Sequence, residues 1–162
     1  MSKEIQVFDN VISLADNDTM YRKLLHECSF QYGEVDRKDT PPTGMVSELP
    51  KESQVRQFLE MKLHSIDPSL KDAVCDRSYV NLFFPHEKPF FHKDGPCRTC
   101  LFYINPQTEP DEGGETHFLV NAEIYGVLPV PGRLVIFNGN IVHRATSLRT
   151  IPRLTVAFKY LP

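Results

Sequence analysis

From Tyr79 onward the chain breaks into eight short apolar runs, YVNLFF, PFFHKD, RTCLFYIN, ETHFLV, YGVLPV, RLVIFN, VHRAT and RLTVAFKY, separated by proline, glycine and asparagine over 82 residues. Each run has the length of a strand, is enriched in β-branched or aromatic residues and is bounded by turn signals, which argues for an antiparallel sandwich or barrel. The turns fall where a jelly roll needs them. NPQTEPDEGG is a polar, acidic loop ending in Gly113-Gly114, and Pro131-Gly132 and Asn138-Gly139-Asn140 read as tight turns.

The first half of the chain has a different period. Residues 5–14 (IQVFDNVISL) alternate loosely and suit an edge strand or a short lead-in. Asp16, Asn17 and Asp18 are N-cap candidates for a helix over about residues 19–30, with Leu24, Leu25 and Cys28 on its apolar face. Residues 36–50 (DRKDTPPTGMVSELP) form a loop longer than the usual connection, of a kind that often covers a site but also fits a plain surface connection. Val55, Phe58, Leu59 and Leu63 recur at helical spacing over about 52–65, and Pro68 ends that helix. The expectation is a single α+β, mainly β domain over 1–162, with a helical lead-in over about 1–78 packed on a jelly-roll core over about 79–160.

Charge narrows the partners. Eighteen basic and 21 acidic residues are interspersed, so there is no basic footprint for nucleic acid or an anionic membrane. The N-terminal residues lack the apolar core of a secretion signal and no run is long enough to span a bilayer, which points to a soluble, cytoplasmic protein. Four unevenly spaced cysteines fit reduced thiols better than a disulfide framework. Cys97 and Cys100 have the spacing of a zinc half-site or redox pair. Three apart on a strand, however, they face opposite sides, and no second such pair exists, so both are expected to fill core space.

His92 and Asp94 lie two residues apart in one of the β-favouring runs, which puts both side chains on one face. With six His and ten Asp in the chain, about 0.4 such pairs are expected by chance, so the pair gains weight only from its context. That context is His143 at the end of a later run and Arg153 on the last one. Two histidines and a carboxylate with open positions form the ligand set of a non-haem Fe(II) oxygenase. On a strand, Arg153 shares a face with Thr155 and Ala157, while Leu154, Val156 and Phe158 share the other, and an arginine directed into a barrel needs an anion.

In this order and spacing, His92-x-Asp94, His143 and Arg153-x-Thr155 resemble the Fe(II)- and 2-oxoglutarate-dependent oxygenases, whose core is a double-stranded β-helix. The run CRTCLFYIN, the Gly-Gly of GGETHF and the helix-rich beginning are similar to the prolyl 4-hydroxylases and the oxygen-sensing prolyl hydroxylases. The likeness is strongest over residues 79–160. It implies that His92, Asp94 and His143 hold the iron, and that Arg153, Thr155 and Tyr103 receive the distal carboxylate of 2-oxoglutarate; apart from the resemblance, Tyr103 reads as a core aromatic with a satisfied hydroxyl. It further implies oxidation of a carbon centre by dioxygen with release of succinate and carbon dioxide, and ascorbate as a supporting reductant. Collagen-type prolyl 4-hydroxylases usually carry lysine where Arg153 stands, which inclines this chain to the oxygen-sensing type. Phe84 stands where that type often has tyrosine, and with Pro162 directly after the last run no C-terminal helix is expected to grip substrate.

The resemblance leaves the substrate open between a peptidyl proline and a small molecule such as a free amino acid. Asn81, His86 and Arg144 are candidate substrate contacts, with His86 also readable as a solvated turn residue. His117 is a rival third ligand but has no arginine at suitable spacing after it; His26 and His64 fall on the helices, and Glu112 and Glu115 read as loop solvation. A halogenase is disfavoured because Asp94 keeps the carboxylate ligand, and a nucleic-acid demethylase by the charge balance. The alternative of another class is a non-catalytic cupin-like binding module.

Overall fold

The computed structural model describes residues 4–162. Ten strands and two helices are found among them: β1 (Ile5–Phe8), α1 (Leu14–Glu27), β2 (Gln31–Tyr32), β3 (Met45–Glu48), α2 (Gln54–Ile66), β4 (Cys75–Phe83), β5 (Arg98–Tyr103), β6 (Thr116–Val120), β7 (Glu123–Val127), β8 (Leu134–Asn138), β9 (Val142–Ala145) and β10 (Arg153–Tyr160). A seven-stranded antiparallel sheet runs β1-β8-β5-β10-β4-β3-β2, and a three-stranded antiparallel sheet runs β7-β6-β9. The two sheets form a jelly roll that is not closed into a barrel. No helix among the described residues is long and apolar enough to cross a membrane.

Alternation in the major sheet sorts two cores. Val80, Leu82, Phe102, Ile136, Leu154, Val156 and Phe158 point to one side and pack with Met20 and Leu24 of α1 and Val55, Leu59 and Leu63 of α2. Tyr79, Leu101, Tyr103, Val135, Phe137 and Ala157 point to the other and meet Phe118 and Val127 of the minor sheet. Cys100 lies in the helix-side core, and all four cysteines are free. Cys97, only half-buried, precedes β5.

Several expectations need correction. The first helix starts at Leu14 rather than near residue 19 and ends at Glu27. Its N-cap is Ser13, whose hydroxyl accepts from Asp16 N (3.1 Å) and donates to the Asp16 carboxylate (2.7 Å). Asn17, expected at the cap, is instead buried and ties the helix to the major sheet: its Nδ2 donates to the carbonyls of Ile104 (2.9 Å) and Asn105 (3.0 Å), and its Oδ1 accepts from Gly132 N (3.1 Å). Gly132 has φ +71°, and a Cβ there would lie 2.3 Å from the Ile12 carbonyl oxygen, so a glycine is required. The second helix is displaced by up to two residues, with Ser53 as its cap. The run PFFHKD is not a strand; only His92 makes an isolated bridge, to His143. The 36–50 segment contains β3, and β1, β2 and β3 supply both edges of the major sheet, so the lead-in contributes strands as well as helices.

Asn17→Ala removes three buried hydrogen bonds and leaves their backbone partners in need of replacements. It is expected to cost about 3 kcal/mol of folding stability, measured by urea unfolding, whereas a loss under about 0.5 kcal/mol would contradict this tether.

Candidate metal centre

Two backbone hydrogen bonds bring the ends of distant segments together. His92 N donates to His143 O (2.9 Å) and His143 N to His92 O (3.0 Å), while Asp94 N donates to the carbonyl of Gly139 (2.8 Å) in the turn before β9. That turn approaches closely: a Cβ on Gly139 would lie 2.7 Å from both Cys97 Sγ and Gly95 O. The imidazole rings of His92 and His143 are 4.5 Å apart. One ligand atom from each of His92, Asp94 and His143 lies within 4.8 Å of the others, the only such His/Cys/Asp/Glu group among the described residues.

Each side chain is held from behind. His143 Nδ1 is 2.8 Å from the Ile141 carbonyl, and His92 Nδ1 is 3.0 Å from that of Phe90, so both rings are set with Nδ1 as donor and Nε2 toward Asp94. His92 Nε2 is 3.6 Å from Asp94 Oδ1, and His143 Nε2 is 3.4 Å from Oδ2. Thr99 donates to Oδ2 (2.6 Å), and Lys159 makes a direct ion pair with the same oxygen. Burial opposes the Asp94 charge, yet its bonds to His92 and Lys159 outweigh burial and hold its carboxyl well below the usual range. Burial likewise pushes His92 down, but Asp94, the Phe90 carbonyl and Asp36 leave it net raised. His143, packed by Phe118 and Phe137, is pushed down to about 4, chiefly by burial.

A cavity of about 400 Å³ runs from this triad to Arg153, with Asn81 and Thr155 on its wall. Arg153 is buried; its Nε donates to Gly114 O (2.8 Å) and its Nη2 to Thr116 Oγ1 (2.9 Å), which also accepts from the Tyr103 hydroxyl (2.6 Å). Gly113 and Gly114 both have positive φ, and a Cβ on Gly114 would collide with Leu148, so the Gly-Gly pair shapes the acceptor of Arg153. No ion pair among the described residues includes Arg153, and the buried Thr155 Oγ1 has no hydrogen-bond partner.

The other candidates are dispersed. His117 lies on the outer face of β6, since Thr116 and Phe118 are its inward neighbours, and is not part of the triad. His86 is exposed in the turn after β4, at φ +72°. Arg144, on β9, stacks 4.4 Å over the Phe91 ring and does not line the cavity. His26 is exposed, and His64 contacts the Tyr160 hydroxyl (3.3 Å). Glu112 and Glu115 are more than solvated loop residues, since they accept from Thr150 and Thr146. Lys159, Thr99, Thr116 and Asp36 went unread in the sequence. Lys159 was within reach, because it continues the inward alternation of Arg153, Thr155 and Ala157 by one step.

No protein-family model and no curated protein matches the sequence. Solved structures do. A prolyl-4-hydroxylase of Pseudomonas putida is similar with a TM-score of 0.77 at 16% identity, covering 98% of this chain and 93% of that one. A prolyl hydroxylase of Trichoplax adhaerens, in complex with an oxygen degradation domain peptide of hypoxia inducible factor, gives 0.80 at 14%, covering 99% and 84%. HygX of Streptomyces hygroscopicus, with nickel, 2-oxoglutarate and hygromycin B bound, gives 0.75 at 15%, covering 98% and 83%. The chain has the fold of the 2-oxoglutarate–Fe(II) oxygenases. The jelly-roll expectation is thereby met.

Burial predicts one titration directly. In metal-free protein the His143 ring should stay neutral until about pH 4, read from its Cε1 proton by NMR; a midpoint near the ordinary 6.5 would contradict the burial described.

Proposed function

We propose that this chain is an Fe(II)- and 2-oxoglutarate-dependent dioxygenase that hydroxylates an unactivated carbon, in the manner of a prolyl 4-hydroxylase acting on a peptidyl proline. The observation that carries the reading is one cavity with two imidazoles and a carboxylate converging on it and a buried arginine without a carboxylate partner among the described residues at its other part. The donor set suits iron: two neutral nitrogen donors and one carboxylate oxygen leave coordination positions open. The arginine end suits a dicarboxylate, because a buried guanidinium and an unsatisfied hydroxyl both call for an anionic acceptor.

When bound, Fe(II) with 2-oxoglutarate and dioxygen supplies the oxidising chemistry, in which the keto acid becomes succinate and carbon dioxide and one oxygen atom enters a carbon–hydrogen bond. The protein's share is positioning. His92, Asp94 and His143 hold the metal, with Thr99 and Lys159 restraining Asp94 through Oδ2. Arg153 and Thr155 bind the distal carboxylate, and Tyr103 contributes by orienting Thr116 beside the guanidinium. Leu101, Phe137 and Ala157 give the cavity apolar walls that keep water from the reacting carbon. Asn81 is the substrate-contact candidate that faces the cavity. Free cysteines agree with a cytoplasmic setting.

A small-molecule substrate is the second reading, supported by the likeness to HygX, whose structure holds hygromycin B. Incubation with Fe(II), ascorbate and 2-oxoglutarate should release succinate, and mass spectrometry over proline-containing peptides and metabolites should find a product heavier by one oxygen. A metal-loaded protein that forms no succinate with any of them would favour a binding module. Arg153→Ala should raise the half-saturating 2-oxoglutarate concentration roughly 10- to 150-fold, the equivalent of a charge-assisted bond of about 1.5 to 3 kcal/mol, with metal affinity little changed. His143→Ala should abolish metal binding and His117→Ala should retain it; the reverse pattern would move the third ligand.

A further inference from the structure

The long loop before β3 does more than cover the cavity. Asp36 within it is largely buried, and its two carboxylate oxygens face three donors. Oδ2 accepts from Phe90 N (2.7 Å) and from the Thr43 hydroxyl (3.0 Å), and Oδ1 lies 3.2 Å from His92 Nδ1. The next residue, Arg37, donates to the carbonyl of Phe91 (2.7 Å) and stands over the Phe90 ring. The loop thus grips three consecutive residues, 90, 91 and 92, in a segment that has no regular strand pairing of its own.

The loop itself is closed. Val35 bridges Pro42, Thr40 and Arg37 exchange hydrogen bonds, and Gly44 N donates to Glu87 (2.8 Å) in the turn that leads into the segment carrying His92 and Asp94. The two histidines differ as a result. His143 Nδ1 has only a backbone carbonyl behind it, whereas His92 Nδ1 has a carbonyl and a carboxylate.

We propose that Asp36 is a positioning residue for the metal centre, acting through His92, and that the loop over 35–44 is the element that sets the His92 ring. The proposal rests on the metal reading given above. A carboxylate is acceptor-only at both oxygens, so it can serve all three donors and keep the His92 proton on Nδ1, leaving Nε2 for the metal. Asparagine cannot do so: whichever way its amide is turned, an NH₂ group confronts either the Nδ1–H or the Phe90 N–H and Thr43 hydroxyl. The same geometry links whatever rests against Asp36 and Thr43 on the cavity wall to the ring that holds the ion.

The test uses the full chain with Mn(II) in place of Fe(II), without 2-oxoglutarate or substrate, following the EPR signal of free Mn(II). Asp36→Asn should weaken binding about 10- to 100-fold, the usual effect of losing such a partner, while Thr43→Val, which removes one donor to Oδ2 but keeps the carboxylate against His92 Nδ1, should weaken it less than Asp36→Asn does. Equal affinity in Asp36→Asn and wild type would overturn the proposal. Imidazole ¹⁵N NMR on metal-free protein separates it from the reading it rests on. His92 should carry its proton on Nδ1, with that proton further downfield than the one on His143, and Asp36→Asn should shift it. A wild type that binds no Mn(II) but shows these signals defeats the metal reading and supports the Asp36 contact. A neutral His92 ring protonated on Nε2 instead of Nδ1 in the wild type overturns the Asp36 role, even if Asp36→Asn fails to fold.

Discussion

The pleat of β10 governs the molecule. This strand lies between β4 and β5 in the major sheet, and Leu154, Val156 and Phe158 are drawn to the helix side by the apolar core beneath α1 and α2. A register slip of one residue would turn the face of Arg153, Thr155, Ala157 and Lys159 toward the helices instead, so the hydrophobic face fixes the register strongly. The polar face is then forced between the sheets, where each charge has to find a partner. Lys159 finds Asp94, Arg153 finds the Gly114 carbonyl and Thr116, and Thr155 finds none among the described residues. The apolar half of one strand therefore determines where the cations of the cavity stand.

His92 and Asp94, the ligands proposed beside His143, depend on a local departure from regular pairing. Residues 90–94 are held by scattered contacts instead of a ladder: a pair of backbone hydrogen bonds with His143, one from Asp94 N to Gly139, and those of Asp36 and Arg37 in the loop. Gly95, at φ +95°, turns the chain away immediately afterwards. A segment built from side-chain and turn contacts can aim two ligands at His143 without the flat constraint of a continuous ladder. Its cost is dependence on those contacts, which explains why so many of them are charge-assisted.

The sequence made the layered β architecture legible because strand periodicity and turn residues are local signals: seven of the eight runs after Tyr79 contain strands. Arg153 beside Thr155 was legible for the same reason, since alternation puts both on one face of β10; His92, Asp94 and His143 do come together, but not through the strand alternation expected of the first two. What stayed hidden depends on distant partners. Asp36 and His92 are 56 residues apart and meet only through the loop's closure. Asn17 looked like a cap because short polar residues favour helix starts, and its bonds to Ile104, Asn105 and Gly132 cannot be read from its neighbours. The PFFHKD run looked like a strand from its composition, but its partner on one side is a single bridge and on the other a loop.

The central claim is that one cavity brings a chelated metal and a dicarboxylate together between the triad and Arg153. The visible spectrum of anaerobic, Fe(II)-loaded protein tests it most directly, because an α-keto acid chelated to Fe(II) adds a metal-to-ligand charge-transfer band. On addition of 2-oxoglutarate the wild-type chain should develop that band and Asp94→Ala should not. A wild-type spectrum unchanged by saturating 2-oxoglutarate would contradict the account.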